Sequence, residues 1–305
     1  MKPTLRALAL TLPLAMLSLT ACSASDESSE ATPQDGGTIN IVTSTQVWAD
    51  VAQATVGDAD VNAIIVGDSA DPHSFEPTAA DMAKVETADI IVVGGGGYDA
   101  WLYSSLDDND SRIIHALPLS EHDHGDEHDG DDHDHGGDVD NEHIWYSTEA
   151  VSEVAGDIAD KASELDSNIT VTPQAVTAKM DELHGRIHDL PAVRVAQTEP
   201  IADYIVKDSA MIESTPEGYR ATTLSEGEPS AADVDSFQEL IRNNGIDILI
   251  YNPQSATPVA TSLRDLAQEN GIAIVEISET PPLGENFLDT FTTAVDNLEK
   301  AATSA

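Results

Sequence analysis

The sequence predicts an α/β protein of two lobes, each built on a central sheet, joined by one long helix. Three observations carry that expectation. Short apolar runs alternate with helix-spaced amphipathic stretches in both halves of the chain. The alternation stops once, mid-chain, at a helical stretch opened by Pro173 and ended by Leu190-Pro191, and then restarts. The roughly 265 residues from Thr38 onward are enough for two lobes, each with its own core.

The elements follow in order. Ile39-Asn40-Ile41-Val42 reads as a strand and Val47 to Thr55 as a helix; Val61 to Val66 is strand, Ala79 to Thr87 helix and Ile90 to Val93 strand. The turn Gly94 to Gly97 leads to a helix from Tyr98 to Leu106 and a short strand from Arg112 to His115. After a low-complexity tract at 121–142, helices are expected from Thr148 to Leu165 and from Pro173 to Asp189. The second half gives strand Val193 to Ala196, helix Ile201 to Val206, strand Ile246 to Ile250, helix Thr257 to Glu269, strand Ile272 to Ile277 and helix Glu285 to Lys300. No short-period repeat is present, and no element is read between 207 and 245. The expected divisions are 38–165 for the first lobe, 166–190 for the linker helix region and 191–305 for the second lobe.

The start of the chain speaks to compartment. Lys2 and Arg6 precede an apolar stretch from Ala7 to Ala21. At about fifteen residues it is too short for a bilayer, which needs about 20, so 1–21 reads as a signal peptide. It ends in Leu19-Thr20-Ala21-Cys22, which looks like a lipobox. Cys22 is the single cysteine, so no intrachain disulfide can form, and its place after the apolar stretch favours lipidation. Acyl chains there would anchor the protein at the cell membrane, on its extracytoplasmic face. Residues 22–37 carry little to bury and read as a flexible tether.

The formal net charge is −43. Such a chain does not bind nucleic acid or an anionic membrane face through its own field; it attracts cations. Most of this charge needs no more than solubility to account for it. No HExxH or GxSxG motif occurs, and Gly94 to Gly97 lacks the Lys-Ser/Thr of a phosphate loop, so no enzyme is expected.

Two short segments carry oriented histidines. Asp71-Pro72-His73-Ser74-Phe75-Glu76-Pro77 follows a strand, where an α/β sheet presents its ligand-binding edge, and its two prolines stiffen the loop. Asn141-Glu142-His143-Ile144-Trp145-Tyr146 precedes a helix, with Trp145 and Tyr146 available to pack and fix the loop. Either histidine alone is more often a hydrogen-bonded surface residue than a ligand. The tract Glu121 to His135 holds His122, His124, His128, His133 and His135 among acids and glycines, a composition that forms no packed core and suits weak, exchanging chelation. His115, His184 and His188 read as surface residues.

DPHSFEP, then GGGGYDAW at 94–101, then EHIWY, in this order, resembles the zinc- and manganese-binding solute-binding lipoproteins of ABC importers, the cluster A-I family. The resemblance covers nearly the whole mature chain, including the lipobox and the His-rich insertion before the second histidine. It implies two α/β lobes hinged on a rigid helix with a metal site in the cleft between them, two ligands from each lobe. His73 matches the first ligand and His143 the second. The zinc branch carries a third histidine five residues before an aromatic; counting back from Tyr204 puts Glu199 there, a residue typical of the manganese branch. The fourth ligand, an acid after a late strand, falls on Glu279, with Glu276 inside the strand and less suited. The resemblance implies a monomer that captures Zn²⁺, with Mn²⁺ the alternative, for an ABC importer permease and its ATPase; a lipid-anchored metal chaperone or adhesin is the other reading. Two imidazoles and two carboxylates suit either ion, and the His-rich tract, which looks like a zinc-collecting appendage, leans the expectation to zinc.

Overall fold

The computed structural model describes residues 38–68, 72–107, 109–119 and 141–304. The leader 1–21, Cys22 with its tether, Asp71 and the histidines His122, His124, His128, His133 and His135 lie outside the described residues. Among the described residues no helix is long and apolar enough to cross a membrane.

The first sheet holds β1 (Asn40–Thr45), β2 (Asp60–Ile65), β3 (Ile90–Val93) and β4 (Ile113–His115), all parallel, in the order β2-β1-β3-β4. The run Ile-Ile-Val-Val of β3 is wholly buried, as a parallel strand covered on both faces requires. The crossovers are α1 (Gln46–Thr55), α2 (Ala79–Glu86) and the short α3 (Ala100–Tyr103). Thr78 and Asp81 form a reciprocal cap on α2, which fixes where the chain turns back after the His73 loop.

Two helices follow, α4 (Thr148–Leu165) and α5 (Pro173–His188), packed on each other. Pro173 opens α5 in its first turn, where a missing N–H does no harm, and the preceding Thr172 N–H donates to Thr55 O of α1 at 2.8 Å. The second sheet repeats the plan of the first: β5 (Arg194–Gln197), β6 (Ile212–Glu213), β7 (Ile248–Tyr251) and β8 (Ala273–Glu276), parallel, in the order β6-β5-β7-β8. Its helices are α6 (Asp203–Lys207), α7 (Glu217–Leu224), α8 (Ala231–Arg242) and α9 (Pro258–Glu269).

The last helix, α10 (Phe287–Ser304), returns to the first lobe and packs on α1 and α5. At its start the Phe287 N–H donates to Asp50 Oδ2 at 2.7 Å, and the Gln46 amide donates to Glu285 O at 2.7 Å. Near its end Arg186 of α5 pairs with Glu299 and Asp296. One continuous core therefore runs from Ile41 and Trp48 through Ile158 and Met180 to Val195 and Phe291.

Two stretches differ from the sequence expectation. The helix expected from Tyr98 to Leu106 is confined to α3, because Gly95, Gly96 and Gly97 all adopt positive φ and the Asp99 carboxylate accepts the N–H groups of Gly94 and Gly95. Tyr98 consequently sits in a turn at the sheet edge. Between 207 and 245 the chain forms β6, α7 and α8, none of which was expected.

Candidate metal centre

All strands in each sheet run the same way, so the loops at their C-terminal ends gather on one edge, where α/β sheets place ligands. His73 lies in a single 3-10 turn after β2, and His143 immediately before another that carries Trp145 and Tyr146. Glu199 stands two residues beyond β5 and Glu279 three beyond β8. These four side chains converge: one ligand atom from each lies within 4.8 Å of the others. The structure thus brings together the four residues singled out in the sequence, and it leaves Glu276 exposed on β8.

The distances define a compact cluster. His143 Nε2 is 2.9 Å from Glu199 Oε1. His73 Nε2 is 3.6 Å from the same oxygen and 3.4 Å from Glu279 Oε2. His143 is 2 % and Glu279 1 % exposed, so a carboxylate and an imidazole have left water, which is favourable only with charged or hydrogen-bonding partners. Trp145 lies against the His143 ring at 5.3 Å and Tyr98 edge-on to His73 at 5.1 Å, which closes the apolar side of the site.

A surrounding set of polar groups orients these four. The Asn141 side-chain oxygen faces His143 Nδ1 at 2.8 Å and accepts the His143 backbone N–H at 2.9 Å. An amide oxygen accepts, so Nδ1 carries a proton and Nε2 is the nitrogen that faces the cluster. His73 Nδ1 faces Glu142 at 3.2 Å and Glu226 at 3.8 Å, so these two acids and the ring form a second group on its far side. Tyr98 donates to Glu279 Oε2, and Asn252 donates to Glu199 Oε2 and Glu279 Oε1. A cavity of ≈ 210 Å³ opens onto the site, lined in part by Glu142, Glu226 and Glu228.

The charges respond to one another. Burial opposes protonation of His73 and His143, but the hydrogen bonds to Glu199, with further help from Glu226 and Glu279 at His73, outweigh it and raise both imidazoles, His73 strongly. Burial pushes Glu199 up, yet the two histidines overcome it and hold its carboxyl well below the usual range. Burial pushes Glu142 to about 7 despite the pull of His73 and His143.

Sequence reasoning did not single out Tyr98, Asn252 or Glu226. Tyr98 stood inside the quoted GGGGYDAW segment, and Asn252 follows a strand end; position after a parallel strand was the signal available for both.

Residues 41–301 match the family described as the zinc-uptake complex component A, periplasmic (ZnuA), and the chain belongs to that family. It is 28% identical over 179 residues to the manganese-binding lipoprotein MntA of Halalkalibacterium halodurans, covering 55% of this chain and 54% of the relative. It is 23% identical over 293 residues to the zinc-binding lipoprotein AdcA of Streptococcus pneumoniae, covering 84% of this chain and 54% of the relative. The chain spans about half the length of these curated relatives. Among solved structures, the periplasmic zinc-binding protein TroA of Treponema pallidum superposes with a TM-score of 0.63 at 17% identity, over 87% of this chain and 99% of that one. A crystal structure of ZnuA gives 0.61 at 20% identity, over 87% and 100%. These likenesses show the two-lobed fold.

Proposed function

We propose that the chain captures a divalent transition metal ion, zinc in the first place and manganese as the alternative, and delivers it to the permease of an ABC importer with its ATPase. The observation that carries this reading is the convergence of His73, His143, Glu199 and Glu279, two residues from each lobe, in one buried cluster at facing sheet edges. Two neutral nitrogens and two anionic oxygens compensate a dication without excess charge, and tetrahedral zinc takes this donor set. Family membership supports transport rather than turnover.

In this reading the His-rich tract, with His122, His124, His128, His133 and His135, raises the local metal concentration. The ion enters through the acid-lined cavity, displaces the protons held between His143 and Glu199, and draws the lobes onto it. Acylation of Cys22 keeps the monomer beside its permease on the extracytoplasmic face. The manganese alternative rests on Glu199 standing in place of a third histidine and on the likeness to MntA.

The test is metal analysis and titration of the form beginning at Ser23, with and without 121–137, alongside His143→Ala and Glu279→Gln. One tightly held zinc should survive the deletion, and each substitution should weaken it more than about 100-fold, beyond the 10–100-fold usual for an outer partner. Glu276→Gln should leave it unchanged. A deletion form that prefers manganese would reverse the order of the two ions, and one that binds neither would sink the proposal.

A further inference from the structure

Asn252 leaves the end of β7, and the sheet order puts β7 between β5 and β8. The residue beyond β7 therefore stands between Glu199, beyond β5, and Glu279, beyond β8. Its side chain uses that position. Nδ2 donates to Glu199 Oε2 at 2.8 Å and to Glu279 Oε1 at 2.9 Å, with Ser255 Oγ also 2.8 Å away. Its Oδ1 accepts the Gln254 N–H at 2.9 Å. That bond settles which way the amide faces, because the reverse orientation would set Oδ1 against two carboxylates. Asn252 is 1 % exposed, so water does not stand in for these partners. Ser255 Oγ also bonds Glu199 Oε2, which ties the same oxygen twice.

The consequence is a division of labour within each carboxylate. Glu199 Oε2 and Glu279 Oε1 are bound to the amide, while Glu199 Oε1 and Glu279 Oε2 are the oxygens turned toward the histidines. With the two Nε2 atoms the site presents four donor atoms. Coordination through Glu199 Oε2 or Glu279 Oε1 as well would draw the ion onto oxygens that already accept the Asn252 amide, in competition with those hydrogen bonds. Zinc accepts four donors, whereas manganese favours six, mostly oxygen.

Resting on the proposed metal site, we infer that Asn252 is a specificity-determining residue: it holds Glu199 and Glu279 to one oxygen each and so favours a four-coordinate cation over manganese. This accounts for a zinc-type site in a chain whose third ligand is a glutamate. The residue acts through the carboxylates and touches no ion itself.

The test uses cobalt(II) as a spectroscopic stand-in, with zinc and manganese in competition, on the chain beginning at Ser23. Four-coordinate cobalt absorbs strongly in the visible and six-coordinate cobalt weakly, so the wild type should give the strong band. Asn252→Ala should weaken that band and shift the zinc-to-manganese affinity ratio toward manganese by roughly tenfold, the size of one charge-assisted hydrogen bond. Ser255→Ala, which removes one of the two bonds to Glu199 Oε2, should move both in the same direction by less and serves if Asn252→Ala does not fold. A weak band in the wild type overturns the inference whatever the variants do. A strong band with an unmoved ratio in both variants overturns it too, while leaving metal capture intact. Wild-type protein that takes up neither cobalt nor zinc overturns both readings.

Discussion

The hydroxyl of Tyr98, carried by the turn after β3, donates to Glu279 Oε2, carried by the loop after β8, at 2.8 Å. The bond joins the edges of the two sheets, and both residues are almost wholly buried. It holds Glu279 on the side facing His73, while Asn252 holds its other oxygen. Tyr98→Phe removes the donor and little volume. A hydrogen bond to a charged group contributes about 1.5–3 kcal/mol, so the metal-free variant should lose about that much in denaturant unfolding. With Glu279 a ligand as proposed, metal should also leave the variant faster, because one lobe's grip on that carboxylate is gone. Unfolding within about 0.5 kcal/mol of wild type, with an unchanged release rate, would show the contact to be incidental.

Under the proposed function, His73 and His143 set opposite pH dependences for the metal-free and metal-loaded protein. Both are raised above 6.5 in the folded state, burial opposing the shift and the carboxylates winning. Their stabilising contribution is therefore complete below pH 6.5 and lost as pH climbs through the raised values. Glu142, pushed by burial to about 7, favours the metal-free fold in the same direction. Glu199, lowered well below 4.5, stabilises above that value and ceases to do so as pH falls through its lowered one. The metal-free protein should melt highest at mildly acidic pH and lower at pH 8. Metal competes with those same protons, so its affinity should fall as pH drops, starting above 6.5, and binding near pH 7 should release roughly one to two protons per ion. Melting curves in a chelator and calorimetry in buffers of differing ionisation enthalpy would check both. Equal proton release at pH 6 and pH 8.5 would contradict the assignment.

The sequence carried what depends on local pattern. The runs Ile90 to Val93 and Thr148 to Leu165, and the proline-opened α5, are legible because burial on both faces, or along one stripe, writes itself into consecutive residues. α7 was not, because it buries Tyr219 alone; α8 does carry a helical period in Val234, Phe237, Leu240 and Ile241, which went unread. The four convergent residues were legible through the motifs around them. Asn252 and Tyr98 were not, because their part depends on strand order in one sheet and on the approach of two lobes, and neither is a local property of the chain.

The turn that places Tyr98 depends on Gly95. Its φ of 78° is left-handed, and a Cβ there would lie 2.1 Å from Leu117 O. Since Leu117 N–H donates to Gly94 O at 2.8 Å, that backbone has no freedom to retreat. Gly95→Ala should destabilise by roughly 2–5 kcal/mol, from strain together with overpacking, and it should shift Tyr98 off Glu279. Thermal unfolding and the cobalt spectrum would register the two effects separately. A variant as stable as wild type would show that the segment bends more easily than its packing implies.

Asn141 bonds groups of both lobes. Its oxygen faces His143 Nδ1 and accepts the His143 N–H. Its amide donates to Pro200 O and, at 2.9 Å, to Asp203 Oδ2, while its own carbonyl accepts the Tyr204 hydroxyl at 2.7 Å. Pro200 is the neighbour of Glu199, so one side chain positions His143 of the first lobe against Glu199 of the second. Asn141→Ala should lower metal affinity about 10–100-fold, the range typical of a partner that orients a ligating histidine. Asn141→Asp keeps an acceptor for Nδ1 but sets a second carboxylate against Asp203, already engaged by Arg220 at 2.6 Å, so its loss should lie between wild type and Ala. Nitrogen NMR of the His143 ring separates positioning from a general loss of structure: in the loaded wild type the proton should stay on Nδ1, and in Asn141→Ala the ring should exchange between its two forms. An affinity unchanged in Asn141→Ala, with the proton still fixed, would assign the orientation of His143 to Trp145 packing alone.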